Sequence, residues 1–534
     1  MFGFIVSNAQ VQVTYGPMLE NDRDNTMNRM IPGDDNSYYC YRVRWKGRGT
    51  DYNIEKYDSK TMKLIFSKQV NLEDEDDYFV EGIEYANSNV YIFRRHYDKN
   101  LDQMELSYQT ISSQGIVSAS PKSIVTLSSD HYEFIDFEIY LNATKDKFLV
   151  KACHKPEKAS IYKTDFILLD AKANLNLIWT KTVKKKLFNS NKSSFGYSFF
   201  GFGGDSDPYG FLGLMLDEND NLYFSYLEEA EKTKGRDYKY SLYLSIIDAN
   251  KFDEERVNLP FDDNYLVNDI EFSKTQNNEI VIGGFLKDIV ERRGRDLVNC
   301  GIFSFTVNLA SKSVSTKAIK IFSPKLLTDL ESSVRRSRYF KYKLDYIIPI
   351  GSDVYYIGEQ YNEQYVYNYN PNGVSTSYWA YEYMDIIVAK LNAKGDFEWI
   401  SNAPLRNVMR MPYAHVFKQY IAVTNGSNIF VFRNDHPKNM RLYEERSFDP
   451  RDLKSVSGIH GSNFIVSTIS TTNGEVKNDL VFENEKYCFA PIQERNPQFV
   501  PPSSCEIFVP SGNNEIVLYT EDRGRDRFVK IKFE

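Results

Sequence analysis

The stretch FKQYIAVTNGSNIFVFRND, Phe417–Asp435, decides the fold. An apolar run, Tyr420–Val423, meets the polar turn Thr-Asn-Gly-Ser-Asn and is followed by a second apolar run, Ile429–Phe432. Asn and Gly reach the left-handed conformations that tight hairpins need, so the phrase reads as two antiparallel strands. It recurs as RMIPGDDNSYYCYRVRW from Arg29, GIEYANSNVYIFRRHYD from Gly82 and DFEIYLNATKDKFLVKACHKP from Asp136. Further copies are FLGLMLDENDNLYFSYLEE from Phe211, DIEFSKTQNNEIVIGGFLKD from Asp269, DYIIPIGSDVYYIGEQY from Asp345 and CEIFVPSGNNEIVLYTED from Cys505.

A second pair of strands follows most copies. DYNIEKYDSKTMKLIFSKQV from Asp51, DFILLDAKANLNLIWTKTV from Asp165 and SLYLSIIDANKFDEERVNL from Ser241 are examples. DIIVAKLNAKGDFEWISNAPL from Asp385 and NFIVSTISTTNGEVKNDLVF from Asn463 match them. No segment sustains a helical period. Successive second strands begin near Tyr39, Val90, Phe148, Leu222, Ile280, Val354, Ile429 and Ile516, with spacings between 51 and 87 residues. Four antiparallel strands per unit at this period predict an all-β chain, a single β-propeller of about eight four-stranded blades. Seven is the alternative if the first or last unit is something else. The last unit has three strands, ending in DRFVKIKFE (Asp526–Glu534), and VQVTYGPML (Val11–Leu19) is an orphan strand. Pairing the two would close the ring and remove a free edge.

Composition bounds the function. The 534 residues are 42% hydrophobic and 26% charged, enough for a large core. A net charge of −8 argues against nucleic-acid binding as the main activity. No run of eighteen apolar residues occurs, so no membrane insertion is expected. In MFGFIVSNAQ, Ser7 and Ala9 fit the small-x-small rule for signal peptidase. Residues 1–9 are therefore read as the remnant of an export signal and 10–534 as the propeller, exported by a bacterium to the periplasm, outer surface or extracellular space. Five cysteines preclude a complete disulfide framework; Cys488 and Cys505 are the one pair near in sequence, and either a bridge or buried thiols would suit them.

The repeats resemble the β-propeller superfamily across essentially the whole chain, and LNAKGDFEW (Leu391–Trp399), with its echo LDAKANLNLIW (Leu169–Trp179), is similar to the quinoprotein repeat. That resemblance implies that Trp179 and Trp399 pack between neighbouring blades. Only these two keep the motif's tryptophan, so no cofactor is expected. A WD dipeptide, repeated kelch Gly-Gly pairs and sialidase Asp-boxes are missing.

Motifs for chemistry are scarce. The six histidines show no HExxH, HxH or HxxxH spacing, and no GxSxG elbow occurs; neither a metal site nor a catalytic residue is assigned. His96, His154 and His436 sit near the exits of second strands, where solvated turns are the bland reading. Asp205 and Asp207 in GYSFFGFGGDSDPYG (Gly196–Gly210), and DENDN (Asp217–Asn221), offer carboxylates without the alternation of a calcium loop. The acidic run Glu73–Asp77 and the basic clusters Lys184–Lys186 and RRSRYFKYK from Arg335 are expected in solvated connections between blades.

One segment stands apart: YYIGEQYNEQYVYNYNPNGVSTSYWAYEYMD, Tyr355–Asp385. Its alternation predicts a hairpin inserted between the second and third strands of blade six, turning at Asn370–Gly373 and carrying rings along one face. Tyr361, Tyr365, Tyr367, Tyr369, Tyr378, Trp379, Tyr381 and Tyr383 are the candidate binding residues. Such rings suit protein interfaces and sugar faces, though packing on the next blade would use them too. The expectation is a non-catalytic binding or scaffold propeller for a protein or glycan, with deletion of Tyr361–Tyr383 sparing the fold. The rivals are a carbohydrate-active lyase or hydrolase with its site at the propeller mouth and a quinoprotein relative.

Overall fold

The computed structural model describes residues 11–20, 25–34, 36–46, 49–70, 78–128, 136–142, 144–154, 161–187, 211–229, 240–262, 264–267, 270–293, 296–323, 341–368, 376–411, 417–445, 449, 452–457, 462–483, 493–494, 508–510, 514–522 and 525–534. Among them, eight antiparallel sheets follow one another along the chain. Seven are built from residues 25–70, 78–128, 136–186, 211–259, 265–321, 341–403 and 420–482. The eighth joins Phe508–Pro510, Glu515–Asp522 and Arg525–Phe533 to the N-terminal strand Val11–Glu20, with Val11 opposite Phe533 and Glu20 opposite Arg525. The two ends of the chain thus finish one blade together, as the orphan strand predicts.

Alternation of side chains makes the ring. Each second strand is apolar on both sides: Tyr39 and Tyr41 pack toward blade 2, while Tyr38 and Cys40 pack toward blade 8. In blade 8, Val517 and Tyr519 meet blade 1 and Ile516 and Leu518 meet blade 7. Eight buried clusters result, one at each junction between neighbouring sheets, including the junction of blade 8 with blade 1. Each fully buried Leu, Ile or Phe in them contributes about 1.5–3 kcal/mol, so the ring is held by apolar burial between blades. First strands approach one another at the axis: Arg29 of blade 1 donates to the Ile83 carbonyl at 2.9 Å and pairs with Glu84 of blade 2 at 2.7 Å.

Both motif tryptophans occupy junctions. Trp179 is buried between blades 3 and 4 with its ring edge-on to Phe252 at 6.4 Å, and Trp399 packs at the junction of blades 6 and 7, 5.9 Å from Tyr355. A one-turn α-helix, α1 (Asn439–Tyr443), lies between the second and third strands of blade 7.

Candidate functional site

Antiparallel alternation sorts the connections onto two faces. The turn from first to second strand and that from third to fourth share one face; the link from second to third strand and the passage to the next blade share the other. The first face carries tight turns with residues at positive φ, such as Asn87, Asn278 and Gly351 before second strands and Leu175, Lys312 and Gly474 before fourth strands. The second face carries the long connections, the usual carriers of function. Asp217 in DENDN belongs to a tight turn: it accepts the Asn219 and Asn221 backbone amides at 2.9 Å each, Tyr223 Oη at 3.0 Å and Lys274 Nζ at 2.9 Å.

On the second face, blade 6 extends furthest among the described strands. Asp353–Asn368 and Thr376–Leu391, sixteen residues each, stay paired from Val354↔Leu391 out to Asn368↔Thr376. A bulge between Glu359 and Tyr361 marks where the hairpin leaves the blade. There the neighbour of Thr376–Leu391 changes. Phe397–Ala403 covers Ile386–Leu391 as the blade's fourth strand, and Asn407–Met411 covers Trp379–Tyr383. Between them Arg406 turns inward and pairs with Asp385 at the bulge, and Asn402 Nδ2 donates to the same carboxylate at 2.7 Å.

Blade 7 braces this extension. Val456–Ser457, in its insertion, pairs in parallel with Asn407–Val408, and Val456 N donates to the Arg406 carbonyl at 2.9 Å. The insertion is folded about Asp435, which accepts the His436 amide at 2.7 Å, Asn439 Nδ2 at 2.6 Å and the Tyr443 hydroxyl. Burial pushes the Asp435 carboxyl above its ordinary value, although Arg433 and these donors oppose the shift.

Register sorts the rings by face. Tyr361, Tyr365 and Tyr367 stand opposite Tyr383, Trp379 and Ser377 on one face, with Tyr381 between Tyr383 and Trp379 in the same row. Trp379–Tyr381 and Tyr381–Tyr383 stack at 6.5 Å, and Tyr365 lies 5.3 Å from Trp379. The row passes from core to solvent. Tyr361, Tyr381 and Tyr383 are fully buried with Leu405 and with Tyr420 and Ile429 of blade 7. Trp379 is half-buried, whereas Tyr365 and Tyr367 are 51% and 60% exposed.

Several expectations need correction. Tyr378 is on the opposite face, pairing with Val366, and the Arg410 guanidinium lies 5.4 Å from its ring centre. Deleting Tyr361–Tyr383 would remove three rings from the junction of blades 6 and 7, so that deletion would not spare the fold. Lys184–Lys186 lie on the outer strand of blade 3, Asn176–Lys186, rather than in a connection. Lys185 is buried there, paired with Glu254 of blade 4 at 2.5 Å and 5.0 Å from the Tyr226 ring centre. From the arginine cluster, Lys341, Tyr342 and Lys343 belong to the first strand of blade 6, and Tyr342 is buried. Tyr369, the turn Asn370–Gly373, Arg335–Phe340, Glu73–Asp77, Gly196–Gly210, Cys488, Cys505 and residues 1–10 lie outside the described residues.

Of the three second-strand histidines, His96 lies within Asn89–Asp98, His154 follows Lys147–Cys153 directly, and His436 follows Asn428–Asp435. His154 Nε2 is 2.6 Å from Asp165 Oδ2, a carboxylate that also takes Thr182 Oγ1 at 2.5 Å and Lys163 at 3.3 Å. Burial alone would raise the Asp165 carboxyl, but these partners outweigh it and hold the group down to about 2.

No known sequence family matches the chain, and no curated protein matches it. Solved structures similar to it include the WD40 domain of SCAP from fission yeast, 8% identical over all of this chain and 97% of that one, TM-score 0.41. The β-propeller domain of the Trilobed protease from Pyrococcus furiosus is 7% identical over 87% of this chain and 97% of its own, TM-score 0.36. A europium-containing methanol dehydrogenase is 9% identical over 98% of this chain and 93% of its own, TM-score 0.41. At such values the architecture rests on this chain's own sheets and junctions. By their order and closure, it is an eight-bladed β-propeller sealed by its own two ends.

Proposed function

We propose that this chain is a non-catalytic binding or scaffold propeller, exported from its cell, that holds a protein or glycan on the face carrying the blade 6 hairpin. The observation behind this reading is the change in exposure along one ring row. Three buried rings root the row in the core, and Tyr365, Tyr367 and Trp379 continue it into solvent. Half-exposed tyrosines on a braced hairpin present rigid apolar area with polar tips at small entropic cost, as recognition surfaces do. Arg410 over Tyr378 adds the third residue type that dominates interface hot spots.

The experiment replaces Gln364–Ala380 with Asn-Gly, which joins the paired residues Glu363 and Tyr381 through a two-residue turn. Both proteins are then offered to solubilised cell-envelope protein and to a glycan array. The reading expects a protein or glycan retained by the full chain and lost by the shortened one, with unchanged thermal unfolding. Equal retention by both places recognition elsewhere and overturns it.

A further inference from the structure

We infer that Asn439, in the blade 7 insertion, is a positioning residue for the ring row of blade 6, so that recognition on one blade is controlled from the core of the next. This rests on the binding reading above and adds to it where the orientation of the row is set.

The argument starts from what places α1. It is a single turn with no side-chain cap bond at its start, and of its five residues only Asn439 is buried. One turn of helix is not stable by itself, so tertiary contacts must hold it. The Asn439 carboxamide uses both of its donors and its acceptor. Nδ2 donates to Asp435 at 2.6 Å and to the Lys454 carbonyl at 2.9 Å, and Oδ1 accepts the Lys454 amide at 2.8 Å. The side chain thereby clasps the end of the second strand, Asn428–Asp435, to the chain that enters Val456–Ser457.

From Lys454 the path to the rings is short. Val456 N donates to the Arg406 carbonyl at 2.9 Å, and Val456 and Ser457 pair with Asn407 and Val408. Asn407 stands opposite Tyr383, Met409 opposite Tyr381 and Met411 opposite Trp379. Tyr383, Tyr381 and Trp379 stack at 6.5 Å, and Tyr365 lies 5.3 Å from Trp379. Close-packed rings shift together, so a displacement of Asn407–Met411 reaches the exposed end of the row. Coupling of this kind is reciprocal: a ligand that fixes the rings also steadies the clasp at Asn439.

The test reads the rings without a ligand. 5-Fluorotryptophan labels the four tryptophans, and Trp379→Phe assigns one fluorine resonance to the row. Asn439→Ala should shift or broaden the Trp379 resonance and leave that of Trp399, at the same junction, in place. Amide exchange at Lys454 and Val456 should quicken about tenfold, as loss of a hydrogen bond implies. Val456→Pro keeps Asn439 but removes the amide that meets Arg406, and so carries the test if Asn439→Ala does not fold. It should reproduce the effect, and the two substitutions together should add little to either. An unmoved Trp379 resonance overturns the inference. So does a Trp399 resonance moved as far as that of Trp379, because the whole junction has then been disturbed. On the glycan array and with solubilised envelope protein, Asn439→Ala should weaken about tenfold the binding of any ligand that the full chain retains; unchanged binding overturns the positioning role. If the full chain retains nothing, the binding reading falls, and the Trp379 resonance alone decides whether Asn439 sets the row.

Discussion

Truncating the rings of the blade 6 row one at a time should separate the core from the recognition surface. A tyrosine ring buries about 200 Å², which at about 25 cal/mol per Å² is worth about 5 kcal/mol. Tyr381 and Tyr383 are fully enclosed between blades 6 and 7, so Tyr381→Ala or Tyr383→Ala should cost about 3–5 kcal/mol, the range for emptying an aromatic core site. Tyr367 keeps 60% of its surface in water. Less than half of the burial applies there, and the freedom regained by the side chain offsets part of it, so Tyr367→Ala should cost about 1 kcal/mol or less. Urea unfolding followed by far-ultraviolet circular dichroism reads these losses as shifts of midpoint at constant slope. Partner binding should respond in the opposite order, lost at Tyr367 and retained by whatever Tyr381→Ala protein remains folded. Equal destabilisation at Tyr367 and Tyr381, or a loss below about 1 kcal/mol at Tyr381, would refute the assignment of the row's base to the core.

Other outcomes follow from the same geometry. Gly283→Ala, on the second strand of blade 5, would drive a methyl group into the Tyr356 ring of blade 6 and against the Phe303 carbonyl; it should cost about 2–3 kcal/mol, measured by urea midpoint, and Tyr356→Leu in the same chain should recover part of it. Arg406→Met leaves Asp385 buried without its cation and should cost about 3–5 kcal/mol, with faster amide exchange in Asn407–Met411 reporting that the hairpin root has loosened. Asp165 is held at about 2, below its ordinary 3.8. Its stabilisation is therefore complete above about pH 4 and lost as pH falls through 2, and Asp165→Asn should flatten acid unfolding in that window. Removing Val11–Glu20 takes the outer strand from blade 8 and should lower the thermal midpoint; adding the same segment as a free peptide should restore part of the loss.

The sequence carried the ring more plainly than the site. Turn chemistry at Asn425-Gly426 and its counterparts, and apolar residues on both sides of every second strand, are local signals, so blade count and closure could be read directly. The hairpin was legible too, because YVYNYN and YWAYEY alternate. Which rings would be buried was not legible. Tyr361, Tyr381 and Tyr383 are enclosed by Leu405 and by Tyr420 and Ile429, contributed after the hairpin and by another blade, and no local pattern announces them. The opposite face of Tyr378 follows from register alone. Lys184–Lys186 has the composition of a solvated connection, yet alternation within a strand buries Lys185 against Glu254 and leaves its neighbours exposed. Asn407–Met411 gave no signal of its own, since its pairing depends on the bulge that frees the edge of Trp379–Tyr383.

Closure explains why this fold can carry so long a hairpin on one blade. The ring's stability resides in eight junctions to which strands from the inner to the outer edge of the blades contribute, and the apolar residues of these strands do not depend on how long the link between second and third strands is. Lengthening a flexible link costs only about 0.6 kcal/mol of closure entropy per doubling, which the ring tolerates. Length alone would give a floppy excursion, however, because a two-stranded ribbon is marginal in water. Blade 6 meets this along one edge with material from two blades: Asn407–Met411 comes from its own passage to blade 7, and Val456–Ser457 from an insertion of blade 7 that Asp435 fastens down. The Arg406–Asp385 pair stands where the added strand begins. The tip rings are therefore held by two blades at once, and disturbing either brace should change the orientation of Tyr365 and Tyr367 before it changes the ring.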